Sequence, residues 1–394
     1  MIDVLSRPEV IKFVHQHEDD DLSKLVLAQS KHKNIPVQLA VSQIQSRKKA
    51  KTKLPEWYSI QGILFPHGVP IEQCSSEITA NYKARLIQGD SLVDLTGGTG
   101  IDTYYLSKNF KSSTFIEKNN ALCDLASYNF KTLNCDISIK NSSAEEYLKF
   151  LNRPVDCLYI DPARRDQNSR KVFRIEDCTP NLVDLQNILV EKSKCILVKF
   201  SPLLDLSQIT RLLTNISDIH IVSINNECKE LLVVINKASG GIRVKTINFV
   251  HDGEQLFDFE LEEEQKCAVD LSMPDQFLYE PNSSIMKAGA FKLISSVFDV
   301  KKLHSNSHLY TSKKIVKEFP GRSFEIIAVE ALKKNVIKKL LPDGMANIST
   351  RNFPMSVPEI RKKTGLKDGG EYYLFATTLM NGNKNIILCK KCQF

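Results

Sequence analysis

The chain has 394 residues, of which 42% are hydrophobic and 25% are charged, and its net charge is +7. That length is enough for two or three domains with their own cores, and the composition is ordinary for a soluble globular protein. No run of about 18 uncharged apolar residues occurs, and the first residues do not resemble a signal peptide, so we expect no membrane span.

The ten cysteines indicate a reduced, cytoplasmic protein. Most of them lie inside stretches that are predicted to be strands or helices, as buried thiols do in cytosolic proteins. Cys389 and Cys392 have the spacing of a metal-binding pair, but no second pair or histidine is spaced to complete a zinc site. We therefore expect no metal.

Basic residues are concentrated towards the C-terminus. Residues 281–394 contain 20 Lys/Arg against 8 Asp/Glu, whereas the first 280 residues contain 33 against 38. Such asymmetry suggests that the C-terminal part binds a polyanion. A solvated basic surface without a partner would give the same counts, so charge alone leaves both interpretations open.

Residues 1 to about 85 are predicted to be helical. Apolar residues recur there at three- and four-residue spacing, for example in DLSKLVLAQS and PVQLAVSQIQSRKKAKTK, and no run is rich in β-branched residues. Ser75 or Ser76 is placed to cap the last of these helices.

Between residues 90 and 240 strands and helices alternate, from SLVDL and IDTYYLSKNF to the strands IHIVSI and ELLVVI. Such alternation predicts an α/β fold, a parallel sheet with helices on both faces. The turn NNECKE would join the last two strands into an antiparallel hairpin at the sheet edge.

The rest of the chain is predicted to form small α+β modules. SGG at 239–241 is typical of a linker, and SSIMKAGAFKLISSVF further on is helix-like. We divide the sequence into a helical region (1–88), an α/β domain (89–240), a small ferredoxin-like α+β domain (241–312) and a basic α+β domain (313–394).

The stretch VDLTGGTGID (93–102) places a glycine-rich turn between a strand and a helix, where a ligand can approach the backbone closely. A dinucleotide-binding loop, or a turn without a ligand, would look similar. The third glycine of the dinucleotide motif is absent, because Thr103 occupies its position after Gly98 and Gly100. Asp94 ends the strand before the loop, and Glu117 ends the next strand, where it could bind ribose hydroxyls.

Two strand-end acids around such a loop resemble the class I S-adenosylmethionine-dependent methyltransferases, which have a Rossmann-like sheet. Thr96 stands where that family commonly has its first glycine. The resemblance implies that Asp94 orients the loop and the methionine amino group and that Glu117 binds ribose, with the adenine beside residues 143 and 144. The implied cofactor-binding residues are Asp94, Thr96, Gly98, Gly100, Glu117, Ser143 and Ala144.

YIDPARRD (159–166) ends the fourth predicted strand with an acid, a proline and two arginines. In this topology that strand end faces the same crevice as the glycine loop. Asp161 could accept a hydrogen bond from an attacking N–H or take its proton, and Pro162 fixes the backbone. Arg164 and Arg165 would suit a phosphate or carboxylate, or they could pair with nearby acids such as Asp166.

DPARR also resembles the D-P-P-R element of the 5-methyluridine RNA methyltransferases. Those enzymes need a cysteine nucleophile after the fifth strand, where this chain reads VKFSP. Cys195 lies inside that strand, so methylation of a pyrimidine C5 through a cysteine is disfavoured. Lys199, in VKFSP, is a further candidate for substrate binding.

Seven stretches occur in order: EQCSSEITANYKA, DLTGGTGID, YIDPARRD, EDCTPN, KFSPLLD, NNECKELL and RNFP. Together they resemble a bacterial family of class I methyltransferases with a THUMP-like C-terminal domain, along essentially the whole chain. Because THUMP domains help to present RNA to an attached modifying domain, the resemblance implies an RNA substrate, either tRNA or rRNA. It agrees with the basic surplus counted above.

The C-terminal half supplies further substrate candidates. Asn226 lies in the NNECKELL turn, which could line the acceptor pocket or merely close the hairpin. Arg351, Arg361, Lys362 and Lys363 lie close together in STRNFPMSVPEIRKKTGL and could dock RNA, or they could form a solvated face.

The sequence therefore predicts a methyltransferase that uses S-adenosylmethionine and acts on RNA. A protein or small-molecule acceptor is the first alternative. A non-catalytic RNA-binding protein on a methyltransferase scaffold is the second, and the intact loop glycines and strand-end acids argue against it.

Overall fold

The computed structural model describes residues 2–66, 71–164, 174–237 and 240–393, with the side chains of Glu72 and Arg164 excepted. The chain divides into two compact units. The first unit contains residues 1–217 and 232–239, and the second contains residues 218–231 and 240–394.

The first unit begins with helices, as predicted. They are α1 (Ile2–Leu5), α2 (Pro8–Gln16), α3 (Leu22–Leu27), α4 (Val37–Lys53), α5 (Pro55–Ser59) and α6 (Glu77–Ala84). Ser76 caps α6 by accepting a hydrogen bond from the Thr79 N–H. Of the helices in the described ranges, none is long and apolar enough to cross a membrane.

Strands and helices then alternate. They are β1 (Gly89–Asp94), α7 (Ile101–Ser107), β2 (Phe110–Glu117), α8 (Asn120–Thr132), β3 (Ser138–Asn141), α9 (Ala144–Phe150), β4 (Val155–Ile160), β5 (Ala163–Arg164), β6 (Cys178–Thr179), α10 (Leu182–Lys192), β7 (Ser193–Phe200), α11 (Leu206–Leu212), β8 (Ile216–Ile224) and β9 (Glu227–Asn236). β7, β4, β1, β2 and β3 are neighbours in that order, and all four pairs are parallel. Their carboxyl ends therefore share one edge of the sheet.

One apolar cluster joins the N-terminal helices to this sheet. Trp57 of α5 packs edge-to-face on Tyr104 of α7, and both belong to a buried cluster with Phe115 of β2 and Phe130 of α8. The helical region and the sheet therefore share a hydrophobic core.

β8 and β9 are joined by Asn225 and Asn226, which have positive φ angles of 49° and 64°. Such a two-residue turn suits the twist of a hairpin. The expectation that this hairpin closes the sheet is wrong. β10 (Arg243–Val250) pairs in parallel with β8, and β11 (Gly253–Glu260) pairs with β10. These strands cover an edge of β8 that would otherwise expose unpaired N–H and C=O groups.

The rest of the second unit is built on another sheet. Its elements are α12 (Leu261–Lys266), β12 (Phe277–Pro281), α13 (Ser283–Ala288), α14 (Leu293–Val297), β13 (Lys301–Lys302), β14 (Tyr310–Ser312), β15 (Gly321–Ala331), α15 (Lys334–Leu340), β16 (Asn347–Arg351), α16 (Val357–Thr364), β17 (Tyr372–Thr378) and β18 (Lys384–Lys391). The strand order is β13-β14-β12-β15-β18-β17-β16. The stretch predicted to be helix-like is two helices, because Gly289 ends α13 with φ 75°.

Successive side chains of β17 point to opposite faces of this sheet, and both faces are apolar. Leu374 belongs to a cluster with Ile337 of α15 and Ile360 of α16, whereas Phe375 belongs to a separate cluster with Phe324. α15 and α16 therefore pack beside each other on one face. The predicted fold class, a parallel α/β sheet with an N-terminal helical region and small C-terminal α+β domains, is confirmed.

We predict that Ile360→Ala lowers the free energy of unfolding of the second unit by about 2–5 kcal/mol, because it leaves a cavity among fully buried side chains. Ile327→Ala is the matched control, since Ile327 is 47% exposed in the same unit, and it should cost much less. Urea titration of both variants measures the difference. Equal losses would contradict the packing of α16 on this sheet.

Candidate functional site

A cavity of about 360 Å³ lies in the first unit, at the carboxyl ends of the parallel strands. Its walls come from the loop after β1, the ends of β2, β4 and β7, the start of α9 and the segment before α6. The volume falls within the range of roughly 300–1,000 Å³ that is typical of small-molecule sites. In the described ranges, no group of three or more His, Cys, Asp or Glu side chains is arranged to hold a metal ion.

Asp94 is the buried anchor of the glycine loop. Its Oδ1 accepts a hydrogen bond from the Thr96 N–H at 2.9 Å, and its Oδ2 accepts one from the Thr103 hydroxyl at 2.5 Å. Burial raises the pKa of Asp94 to about 7, although both hydrogen bonds favour the charged form. The carboxyl group thus fixes both the start of the loop and the first turn of α7.

The loop needs glycine for two different reasons. Gly98 and Gly100 have φ angles of +55° and +82°, which residues other than glycine rarely adopt. Gly97, which the sequence analysis did not single out, lies against the Phe115 ring, and a Cβ there would be 2.2 Å from it. Gly100 is also close to the Phe130 ring, 2.9 Å from a Cβ. The loop therefore packs closely against β2 of the sheet and against α8.

Glu117, at the end of β2, holds the loop from the other side. Its Oε2 accepts a hydrogen bond from the Gly98 N–H at 3.0 Å, and its Oε1 accepts one from the Asn119 N–H at 2.8 Å. Ser143 and Ala144 line the same part of the cavity. The Ser143 hydroxyl caps α9 by accepting from the Glu146 N–H at 3.1 Å.

Asp161 lies beside the loop because two groups hold it. Its N–H donates to the Thr96 hydroxyl at 2.6 Å, and the Lys199 ammonium donates to its Oδ2 at 2.5 Å. Asp161 and Lys199 both line the cavity. The Thr96 hydroxyl, at a position where a glycine was expected, thus connects the glycine loop to the DPARR motif.

The remainder of the DPARR motif is described only in part. Ala163 lines the cavity, and β5 pairs with β6, which brings Thr179 and Pro180 to the cavity as well. Pro162 is half-buried and is not among the lining residues. The Arg164 side chain and Arg165 lie outside the described residues.

A largely buried charged group that shares Lys199 with Asp161 was missed by the sequence analysis. Asp102 lines the cavity, and its Oδ2 accepts hydrogen bonds from the Ser75 and Tyr159 hydroxyls, each at 2.8 Å. Lys83 lies 3.2 Å from Oδ1, and Lys199 lies 3.7 Å from Oδ2. Burial opposes ionisation of Asp102, but the two lysines and the two hydroxyl hydrogen bonds together outweigh it and hold its pKa at about 2.

Asn226, a predicted substrate-binding residue, is engaged within the second unit. Its side-chain Oδ1 accepts a hydrogen bond from the Ser283 N–H at 2.7 Å, and its own N–H donates to Asn248 Oδ1 at 2.9 Å. Lys229 pairs with Glu227 at 2.7 Å. These contacts agree with the alternative that the NNECKELL turn closes the hairpin.

Two of the four predicted RNA-docking residues form ion pairs. Arg351 donates to the buried carboxylate of Glu280 at 2.8 Å, and Arg322 pairs with the same carboxylate. Arg361 pairs with Asp368.

Among the exposed positive charges of this region is a group of lysines on α16, on the neighbouring α15 and directly before α15. These exposed lysines are Lys333, Lys334, Lys338, Lys339, Lys362 and Lys363.

Family models match the C-terminal part of the chain. A ferredoxin-like domain matches residues 277–320, and a THUMP domain-like model matches residues 321–391. No curated protein matches the chain.

Among solved structures, a candidate methyltransferase from Porphyromonas gingivalis W83 is 32% identical over 98% of both chains, with a TM-score of 0.87. A candidate class I S-adenosylmethionine-dependent methyltransferase from Listeria monocytogenes is 12% identical over 61% of this chain and 93% of its own, with a TM-score of 0.39. A candidate methyltransferase from Streptococcus mutans, in complex with S-adenosylhomocysteine, is 13% identical over 43% of this chain and 98% of its own, with a TM-score of 0.30.

The likeness to the P. gingivalis protein extends over nearly the whole length of both chains at an identity well above the level at which only the fold is shared. It includes the parallel sheet and the C-terminal segment that matches the THUMP-like model. The chain belongs to the family of class I S-adenosylmethionine-dependent methyltransferases that carry a THUMP-like C-terminal domain.

Proposed function

We propose that the protein transfers a methyl group from S-adenosylmethionine to RNA. The hydrogen bond from the Asp161 N–H to the Thr96 hydroxyl carries this proposal, because the acid that would meet the acceptor lies directly beside the loop that would bind the cofactor. Incubation with labelled S-adenosylmethionine and total RNA from a deletion strain, followed by nucleoside mass spectrometry, tests it. Label in a protein or small-molecule fraction, and none in RNA, would favour the alternative acceptors.

The cavity suits the cofactor in size and in its polar groups. Among the described residues, a Cβ added to Gly98 would have one neighbouring atom within 4 Å, the Thr96 carbonyl oxygen at 3.7 Å, so these residues leave space beside this glycine. Each Glu117 oxygen accepts one backbone N–H, which leaves lone pairs for ribose hydroxyls. Asp94 would orient the loop beside the methionine amino group, and Ser143 and Ala144 would contact the adenine.

Asp161 would orient the acceptor or take its proton. Bound S-adenosylmethionine would supply an electrophilic methyl group, and in-line attack on it depends mainly on proximity and orientation. Lys199 is bound to Oδ2 of Asp161, so an acceptor N–H would bind Oδ1. Pro162 restricts the backbone that follows.

The basic surface of the second unit would dock the RNA. The exposed lysines of α15 and α16 lie on two helices that pack against each other, so their charges form one surface. The segment that matches the THUMP-like model contains them. In this proposal residues 89–240 form the catalytic domain and residues 313–394 the docking domain.

We predict that S-adenosylhomocysteine binds with a Kd in the micromolar range, about −8 kcal/mol, and that Gly98→Val abolishes binding. A valine there would be strained at φ +55° and would point into the cavity. Gly344→Val is the control, because Gly344 has a similar φ of +66°, has no atom of the described ranges within 4 Å of an added Cβ and belongs to the other unit. Calorimetry that shows undiminished binding by Gly98→Val would refute the cofactor site.

Asp161→Ala should lower turnover about 100-fold or more, with little change in affinity for S-adenosylhomocysteine. Asp161→Asn leaves a single oxygen, which the Lys199 ammonium would bind, so the amide NH2 would face the acceptor and turnover should fall about as far as in Asp161→Ala. Substantial activity in Asp161→Asn would exclude proton transfer to the Asp161 carboxylate. Unchanged turnover in both variants would leave Asp161 with a structural role only.

Replacing Lys362 and Lys363 with Ala should weaken RNA binding and make its salt dependence shallower by up to about 2 in slope, because fewer phosphates are neutralised. Adding Arg361→Ala should have less effect than a third lysine, since Arg361 pairs with Asp368. Lys31→Ala with Lys33→Ala removes the same charge from exposed positions of the first unit and serves as control. Filter-binding titrations at several salt concentrations give the slopes, and identical slopes for both double variants would refute this docking surface.

A further inference from the structure

Four charged side chains of alternating sign form a line in the first unit. Lys83 lies 3.2 Å from Asp102, Asp102 lies 3.7 Å from Lys199, and Lys199 lies 2.5 Å from Asp161. The side-chain exposed fractions along the line are 0%, 12%, 14% and 38%. The line therefore begins at a fully buried ammonium and ends at the acid that faces the cavity.

Asp102 is the fixed point of this line. Hydroxyl groups from two different parts of the chain bind its Oδ2, Ser75 from the segment before α6 and Tyr159 from β4. Lys83, on α6, also donates to the Ser75 hydroxyl at 3.1 Å. With two hydroxyls and two ammonium groups around it, the Asp102 carboxylate has little freedom to move.

Stability is a weak explanation for such an arrangement. Buried ion pairs often contribute less to folding than well-packed apolar side chains would, because both charges lose their hydration. Orientation of the Lys199 ammonium is a better explanation. A lysine side chain has four rotatable bonds, so its ammonium group is confined only when it has a partner on each side. Asp102 and Asp161 are those partners for Lys199.

We propose that Lys83, Asp102 and Lys199 are positioning residues that set the orientation of the Asp161 carboxylate. Asp102 holds Lys199, Lys199 occupies Oδ2 of Asp161, and Oδ1 is thereby directed towards the acceptor. The helical N-terminal region takes part, because it supplies Lys83 and Ser75. This inference rests on the proposed function, in which Asp161 meets the acceptor.

The test compares Asp102→Asn with a matched variant. Asp102→Asn keeps the shape of the side chain and removes its charge, and turnover with labelled S-adenosylmethionine and total RNA should fall about 10-fold or more. Affinity for S-adenosylhomocysteine should change less than turnover. Glu56→Gln is the control. Glu56 also accepts a hydrogen bond from a tyrosine hydroxyl, that of Tyr104, and pairs with a lysine, Lys108, but it is not among the residues that line the cavity. Its turnover should equal that of the wild type.

A double-mutant cycle separates positioning from general damage. If Asp102 acts through Asp161, then Asp102→Asn should lower turnover little further in an Asp161→Ala background. Lys199→Arg should retain more activity than Lys199→Met, because a guanidinium can also bind both carboxylates. Wild-type turnover in Asp102→Asn, or losses that multiply in the double variant, would overturn the inference.

A second measurement does not depend on the acceptor. Acetylation of Lys199 by an amine-reactive ester, followed by mass spectrometry, should be slow in the wild type and faster in Asp102→Asn. If the wild type binds S-adenosylhomocysteine but methylates no RNA, the proposed acceptor is wrong. The acetylation rates then test by themselves whether Asp102 holds Lys199 in place. Equal rates in the two proteins would overturn the inference.

Discussion

The hydrogen bond between the Asp161 N–H and the Thr96 hydroxyl is the constraint on which the candidate site depends. β1 and β4 are neighbours in the parallel sheet, with Asp94 in register with Tyr159, so the loops that follow them start side by side. Adjacency alone would leave each loop free to move. The Thr96 hydroxyl joins them, and Thr96 is in turn bound through its own N–H to Asp94. A glycine at this position would offer no such bond.

The same bond explains how one buried acid affects two sides of the cavity. Asp94 fixes Thr96, Thr96 fixes the backbone of Asp161, and Lys199 fixes the Asp161 carboxylate. Glu117 adds a second hold on the glycine loop through the Gly98 N–H. The loop that would meet the methyl donor and the acid that would meet the acceptor therefore have a defined spacing, which is the main requirement of an in-line transfer.

The strand ends could be predicted from the sequence because their signals are local. A glycine turn between a strand and a helix, and acids at the ends of successive strands, are visible within ten residues, and parallel topology brings them to one edge. Asp102 gave no such signal. It lies in the first turn of α7, where an acid is commonly explained by the helix dipole. Its hydroxyl partners are 27 and 57 residues away, so only the folded chain shows that it is largely buried and paired.

The number of cationic side chains in the second unit that are available to a ligand was overestimated for a related reason. A count of Lys and Arg assigns the same weight to each, but Arg351 binds Glu280, a partner 71 residues away that is itself buried. Local sequence does not distinguish a guanidinium that stabilises a carboxylate from one that is free for a ligand. The lysines of α15 and α16 are exposed, since apolar residues such as Ile337 and Ile360 turn the opposite faces of these helices to the sheet.

The N-terminal helices show that a domain boundary predicted from the sequence can cut through the residues of one site. The change from helical to alternating pattern near residue 89 follows the onset of the sheet, and a division there separates Lys83 and Ser75 from Asp102. The cavity nevertheless takes Cys74 and Ser75 from one side of that division and the glycine loop from the other. Because the two parts also share the apolar cluster around Trp57 and Tyr104, the helical region is part of the same folded unit as the sheet and supplies one wall of its site.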